Sequence, residues 1–181
     1  MNKVLKEILS TVVYLLVVCG ITFLVITFVG QRTVVDGESM LPMLNDGDNL
    51  IVDKLTYRFS DPERYDIIVF PFQYGKNVNY IKRIIGLPGE TVQIDEEGNI
   101  YINGQILEES YGREVIRPDH LGIARNPITL GEDEYFVMGD NRNNSSDSRI
   151  PEVGNIKRDQ IIGRAWVRIW PLSEFGWITH Q

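Results

Sequence analysis

The 23 residues from Ile8 to Gly30 carry no charge. As a helix rising about 1.5 Å per residue they would reach roughly 34 Å, enough to cross a hydrocarbon core of about 30 Å. The competing reading is a cleaved secretory leader, whose apolar stretch runs to about 7–15 residues and ends in a small-residue cleavage site. This run is longer and leaves through Gln31-Arg32-Thr33-Val34-Val35. A retained transmembrane anchor over residues 8–30 is therefore expected. Lys3, Lys6 and the α-amino group precede it, against Glu7 on that side and Arg32 alone just beyond. The excess of positive charge predicts a single-pass protein of the cell (plasma) membrane, with residues 1–7 as a cytoplasmic tail and residues 31–181 outside the cytoplasm.

About 150 residues remain beyond the anchor, the size of one domain with its own core. Setting aside Lys3, Lys6 and Glu7 takes the formal net charge from −7 to −8. A chain so acidic lacks the basic face that would neutralise phosphates, so nucleic acid is not an expected partner. Cys19, the single cysteine, falls inside the anchor, which leaves the outer domain without a disulfide or a thiol nucleophile.

Past residue 30 the chain reads as short β-rich runs broken by turn formers, with no long segment of helical period. Strands are predicted at Asn49–Leu55, Asp66–Phe72, Val78–Ile85, Thr91–Ile94, Ile100–Asn103, Glu134–Met138 and Ile161–Ile169, with turns at Glu96-Glu97-Gly98-Asn99 and Asn103-Gly104. Residues 104–131 show the least pattern and read as surface connections. The expected fold is mainly β: an antiparallel coiled-sheet or barrel-like domain on one N-terminal transmembrane helix.

Within nine positions of the anchor's end comes Gly37-Glu38-Ser39, followed by Met40. A serine hydroxyl is a weak nucleophile until a base takes its proton. The two histidines, His120 and His180, have no local support as that base. A lysine can serve if burial brings its pKa from about 10.4 towards 7–8. Lys82, within Tyr80-Ile81-Lys82-Arg83-Ile84-Ile85, meets that demand if it faces inward. Strand alternation sends Lys82 and Arg83 to opposite faces, so one can point inward while the other is solvated; an outward Lys82 is equally compatible with the pattern.

These residues resemble the type I signal peptidases, membrane-bound Ser-Lys proteases that remove signal peptides from exported proteins. Gly37-Glu38-Ser39-Met40-Leu41-Pro42-Met43 is similar to the nucleophile block S-x-S-M-x-P-T, Lys82 to Glu90 to the general-base block, and Gly139 to Arg149 to a third block almost throughout. The three blocks and the anchor cover nearly the whole chain in family order. The resemblance implies that residues 31–181 are an extracytoplasmic catalytic β domain, with Ser39 as nucleophile, Lys82 as base and an acyl-enzyme between them. It implies that the Ser145 hydroxyl helps orient the lysine amine. Asp147 and Arg149 would hold the framework, with Asp140 and Arg142 as further support. Val35, Met40, Leu44, Tyr80 and Ile81 would line pockets for small side chains, as an A-x-A-like cleavage signal requires. The substrate would add as a strand to the edges Thr33–Asp36 and Asn79–Ile81.

Two positions depart from the pattern. Gly37 stands where the family has a serine able to donate to the oxyanion, and it resembles single-anchor members from Gram-positive bacteria; the oxyanion would then rely on the Ser39 N–H and another donor. Met43 replaces a usual threonine. The expected partners are signal peptides and the lipid bilayer, the latter through the anchor and through Trp166, Trp170, Phe175 and Trp177, for which core packing is the alternative. No cofactor is expected, and a calcium-loop reading of Asp140–Pro151 fails because Ser145 and Pro151 stand where glycine and glutamate belong. A non-catalytic, membrane-anchored assembly factor for exported subunits such as pilins is the second reading. A self-cleaving Ser-Lys regulator is the third.

Overall fold

The computed structural model describes residues 3–75 and 78–179. The apolar run is helical, α1 (Lys3–Phe28), 26 residues or about 39 Å at 1.5 Å per residue. Its described side chains are exposed, and by length and composition it is able to cross a membrane. Gly30 opens the β region directly after it. The strands are β1 (Gly30–Val34), β2 (Asn49–Asp53), β3 (Ile67–Pro71), β4 (Asn79–Gly86), β5 (Thr91–Ile94), β6 (Ile100–Ile102), β7 (Gln105–Ile106), β8 (Ile128–Thr129), β9 (Glu134–Met138), β10 (Ile156–Lys157), β11 (Gly163–Trp170) and β12 (Gly176–Trp177).

Every pairing is antiparallel. The larger sheet runs β1-β2-β11-β3-β4-β9-β10 with β12 on β11, and the smaller runs β7-β6-β5-β8. Neither closes on itself, so the domain is a pair of coiled sheets rather than a barrel. Register shifts in the β11–β2 and β4–β9 pairs bend the larger sheet. The predicted turns are present: Gly98 takes φ +85° between β5 and β6, while Asn103 and Gly104 take φ +52° and +80° between β6 and β7.

Three apolar clusters support the sheets. One gathers Ile85, Val92, Ile94, Ile102, Phe136 and Met138 where the two sheets meet. The second packs Tyr57, Ile68, Phe70, Ile84 and Val137. The third holds Val35, Met40, Leu44, Leu50, Ile67 and Ala165, and underlies the turn after β1. Strand β4 touches all three, and β3 pairs along its first five residues while β9 pairs only from Arg83 onward. Residues 79–82 of β4 thus have one unpaired edge, as β1 does at the end of the sheet.

Candidate active site

Ser39 follows β1 in a tight turn whose apolar residues anchor it from below. Met40 and Leu44 are fully buried, Leu44 N–H donates to the Met40 carbonyl at 2.9 Å, and Asn141 N–H donates to the Ser39 carbonyl at 3.0 Å. The Asn141 side chain also donates to the Glu38 carbonyl at 3.0 Å. Held this way, Ser39 Oγ lies 2.8 Å from Lys82 Nζ. Nζ also donates to the Ile81 carbonyl at 2.9 Å, which fixes its direction.

Lys82 is only 4 % exposed. Burial lowers its pKa from 10.5 to about 8, against the opposing pull of Asp147 and Asp140. An amine so depressed is neutral in a useful fraction near neutral pH, and at 2.8 Å it is within reach of the hydroxyl proton.

Arg83 corrects an expectation. It is fully buried, not solvated on the face opposite Lys82. Its guanidinium grips Asp140 through two bonds of 2.8 and 2.7 Å, donates to the Tyr65 carbonyl at 2.9 Å, and lies 3.9 Å from the Tyr111 ring centre. A buried guanidinium needs this full set of partners, and here they come from three different segments. Burial raises the Asp140 pKa despite the Arg83 pair.

The third block folds around the same centre. Asp147 takes Arg149 in a two-bond pair of 2.8 Å each and accepts from the Gly139 N–H at 3.0 Å. Arg142 donates from Nε to the Gly139 carbonyl at 3.1 Å, and its own carbonyl accepts from Arg149 at 2.6 Å. Gly139 is required by crowding: a Cβ there would sit 2.3 Å from Ser145 Oγ and 2.4 Å from the Ser39 carbonyl. The Ser145 hydroxyl is buried and has no hydrogen-bond partner among the described residues.

An open groove of about 480 Å³ runs past Ser39 and Lys82, bordered by Thr33–Asp36 on one side and Asn79–Ile81 on the other. Val35, Tyr80, Ile81 and Ser145 line it, whereas Met40 and Leu44 lie beneath in the core. Gly37 has φ +90° and open space where a Cβ would be, and its N–H is taken by Asp46 at 2.8 Å. His120 also borders the groove, but its imidazole is engaged by Asp119 at 2.9 Å and Arg117 at 3.3 Å. His180 lies outside the described residues. No cluster of three or more metal-binding side chains occurs among the described residues. Glu109 and Tyr111, from the stretch read as surface connection, carry no local signal for their contacts with the two buried arginines; Asn141 lay inside the third block but no feature of its type marked it.

The family profile described as signal peptidase, peptidase S26, matches residues 8–170. The chain is 46% identical over 157 residues to the signal peptidase I of Leptolyngbya laminosa, covering 83% of this chain and 73% of that one. It is 42% identical over 158 residues to a probable signal peptidase I-2 of Synechocystis, covering 84% and 69%. Signal peptidase I P of Bacillus subtilis subsp. natto is 36% identical over 173 residues, covering 93% and 92%.

Proposed function

The chain belongs to the signal peptidase family, peptidase S26, and from that premise we propose that Ser39 and Lys82 are the reacting pair of a membrane-bound serine endopeptidase that removes N-terminal signal peptides from exported preproteins. The observation that carries it is the 2.8 Å approach of a buried, pKa-depressed Lys82 amine to Ser39 Oγ. Neutral Lys82 takes the Ser39 proton as Oγ attacks the scissile carbonyl. The ammonium then protonates the departing amine, leaving the signal peptide esterified to Ser39. Lys82 next deprotonates a water that attacks the ester, and the proton returns to Ser39 as its oxygen leaves.

Ser145, whose hydroxyl is otherwise unbonded, turns to the amine and orients its lone pair. The Asp147–Arg149 and Asp140–Arg83 pairs hold the lysine strand against the serine turn. The Ser39 N–H is the oxyanion donor, because Gly37 offers no hydroxyl and spends its N–H on Asp46. The preprotein lies extended between the open edges of β1 and β4, with small side chains against Val35, Tyr80 and Ile81. Residues 8–30 anchor the enzyme, residues 1–7 face the cytoplasm and residues 31–181 work on the far side, in keeping with the charge bias around α1. The assembly-factor reading finds no support among relatives that are themselves named signal peptidases.

The test is cleavage of a preprotein bearing an Ala-x-Ala site, in detergent or liposomes. Wild type should cut after the second alanine, while Ser39→Ala and Lys82→Ala should leave the substrate whole. Uncut but bound substrate with all three proteins, where an established peptidase cuts it in parallel, would sink the enzyme reading.

A further inference from the structure

Residues 107–117, between β7 and a short turn at Pro118–His120, form no regular element, yet they cover the charged groups behind the active site. The Glu109 carboxylate takes both terminal nitrogens of Arg142, at 2.6 and 2.9 Å. The side chains are 11% and 2% exposed, so this pair is largely withdrawn from water. Glu109 is itself fixed, its Oε2 accepting from the Tyr111 N–H at 3.1 Å. Arg113 N–H donates to the Asp140 carbonyl at 2.8 Å, stitching the segment to the start of the third block.

What Glu109 holds bears on the reacting pair. Arg142 reaches from this carboxylate to the Gly139 carbonyl. Gly139 is the point where the Ser39 carbonyl and Ser145 Oγ approach so closely that no side chain fits. A guanidinium released from its carboxylate while still buried must find new partners, and the Gly139 carbonyl that it already holds ties any shift of Arg142 to this crowded turn. Resting on the Ser39–Lys82 reading, we propose that Glu109 is a positioning residue for that pair, acting through Arg142 on the Gly139–Ser145 segment. It touches neither substrate nor reacting atoms. Its effect is on how well Ser39, Lys82 and Ser145 are aligned once substrate is bound.

The measurement is steady-state cleavage of an Ala-x-Ala substrate by the full-length protein in detergent, at a temperature where circular dichroism shows each variant folded. Glu109→Gln should lower kcat by roughly 10- to 100-fold, the scale of misplacement by about an ångström, while KM stays within about twofold. Glu109→Asp, which keeps the charge, should recover most of the loss. Combined with Arg142→Gln, Glu109→Gln should add nothing to the loss caused by Arg142→Gln alone, because it acts through that residue. The inference is overturned if Glu109→Gln turns over like wild type, if the two losses multiply, or if the defect vanishes on cooling as a stability effect would. Failure of wild type to cut, or cutting by Ser39→Ala, would instead remove the reading beneath it.

Discussion

The proposed mechanism asks Lys82 to be uncharged in a protein that must also stay folded, and the two demands meet in one side chain. Its pKa, down to about 8 through burial, means that most of it is protonated at pH 7. The acid limb of kcat/KM should therefore rise about tenfold per pH unit up to roughly pH 8, and His120→Gln should leave that limb in place because its ring is tied to Asp119 and Arg117. A limb that disappears in His120→Gln would transfer the base role to the histidine. The same depression costs stability. Between the folded value and the ordinary 10.5 the unfolded chain binds the proton and the folded one does not, so stability rises with pH across that window. Below it the penalty is complete, about 3 kcal/mol for a buried amine so shifted. Lys82→Met should melt higher than wild type at pH 7 while losing all activity, and the gap should close as pH approaches 10.5. A Met variant that melts lower at pH 7 would show that the Ser39 and Ile81 contacts outweigh burial. Gly139→Ala tests the opposite kind of constraint: the added methyl collides with Ser145 and the Ser39 carbonyl, so activity should be lost as in Ser39→Ala, with folding retained.

Strand β4 is where pattern and site coincide, which is why so much of both was legible. Its apolar residues flank Lys82 and Arg83 on both sides, β3 and β9 are short continuous apolar runs, and the Glu96–Asn99 and Asn103-Gly104 turns have the residues their positive φ values need. Where residues of that kind stop, the sequence goes silent. Strands β7, β8, β10 and β12 are two residues long, too short to display a period of two. The predicted run to Leu55 ends early because the Asp53 carboxylate accepts from the Leu55 and Thr56 N–H groups, at 2.7 and 3.1 Å, and turns the chain. Arg83 looked like a solvated neighbour because its partners, Asp140 and Tyr111, are distant in sequence, and Glu109 was invisible for the same reason. The open edges of β1 and β4 were expected, and they make a prediction at this scale. Main-chain bonds across them supply affinity rather than chemistry, so N-methylation of a single substrate amide two or three residues before the cut should raise KM about fivefold, near 1 kcal/mol, with kcat little changed. Unchanged KM for every methylated position would rule out strand addition.

At the scale of the molecule, exposed apolar residues gather near the end of the helix and on β11 and β12. Trp166 and Trp177 meet at a tilt with ring centres 5.0 Å apart on β11 and β12, and both are solvent-exposed, as are Trp170 and Phe175. Core packing, the alternative weighed from sequence, does not hold for any of the four. Beside Trp166, an apolar hollow of about 860 Å³ is bordered by Val29, Leu55 and Phe59, and Val29 is the residue next after α1. If α1 crosses the bilayer, this hollow opens at the lipid surface, where aromatic rings are favoured, and the neighbouring tryptophans rest there too. The acidic domain gains nothing from anionic lipid, so apolar contact alone must hold it in place. The chain's three tryptophans are all exposed, which makes their emission a direct reporter. In liposomes, quenchers attached to shallow acyl positions should dim that emission strongly and a water-soluble quencher weakly, and Trp166→Phe with Trp177→Phe should abolish most of the lipid-dependent part. On the proposed function, a domain resting on the surface would hold the Ser39 groove close to the lipid. Equal access of the soluble quencher in liposomes and in detergent would mean that the domain stands clear of the membrane on its helix, and that the preprotein must leave the surface to be cut.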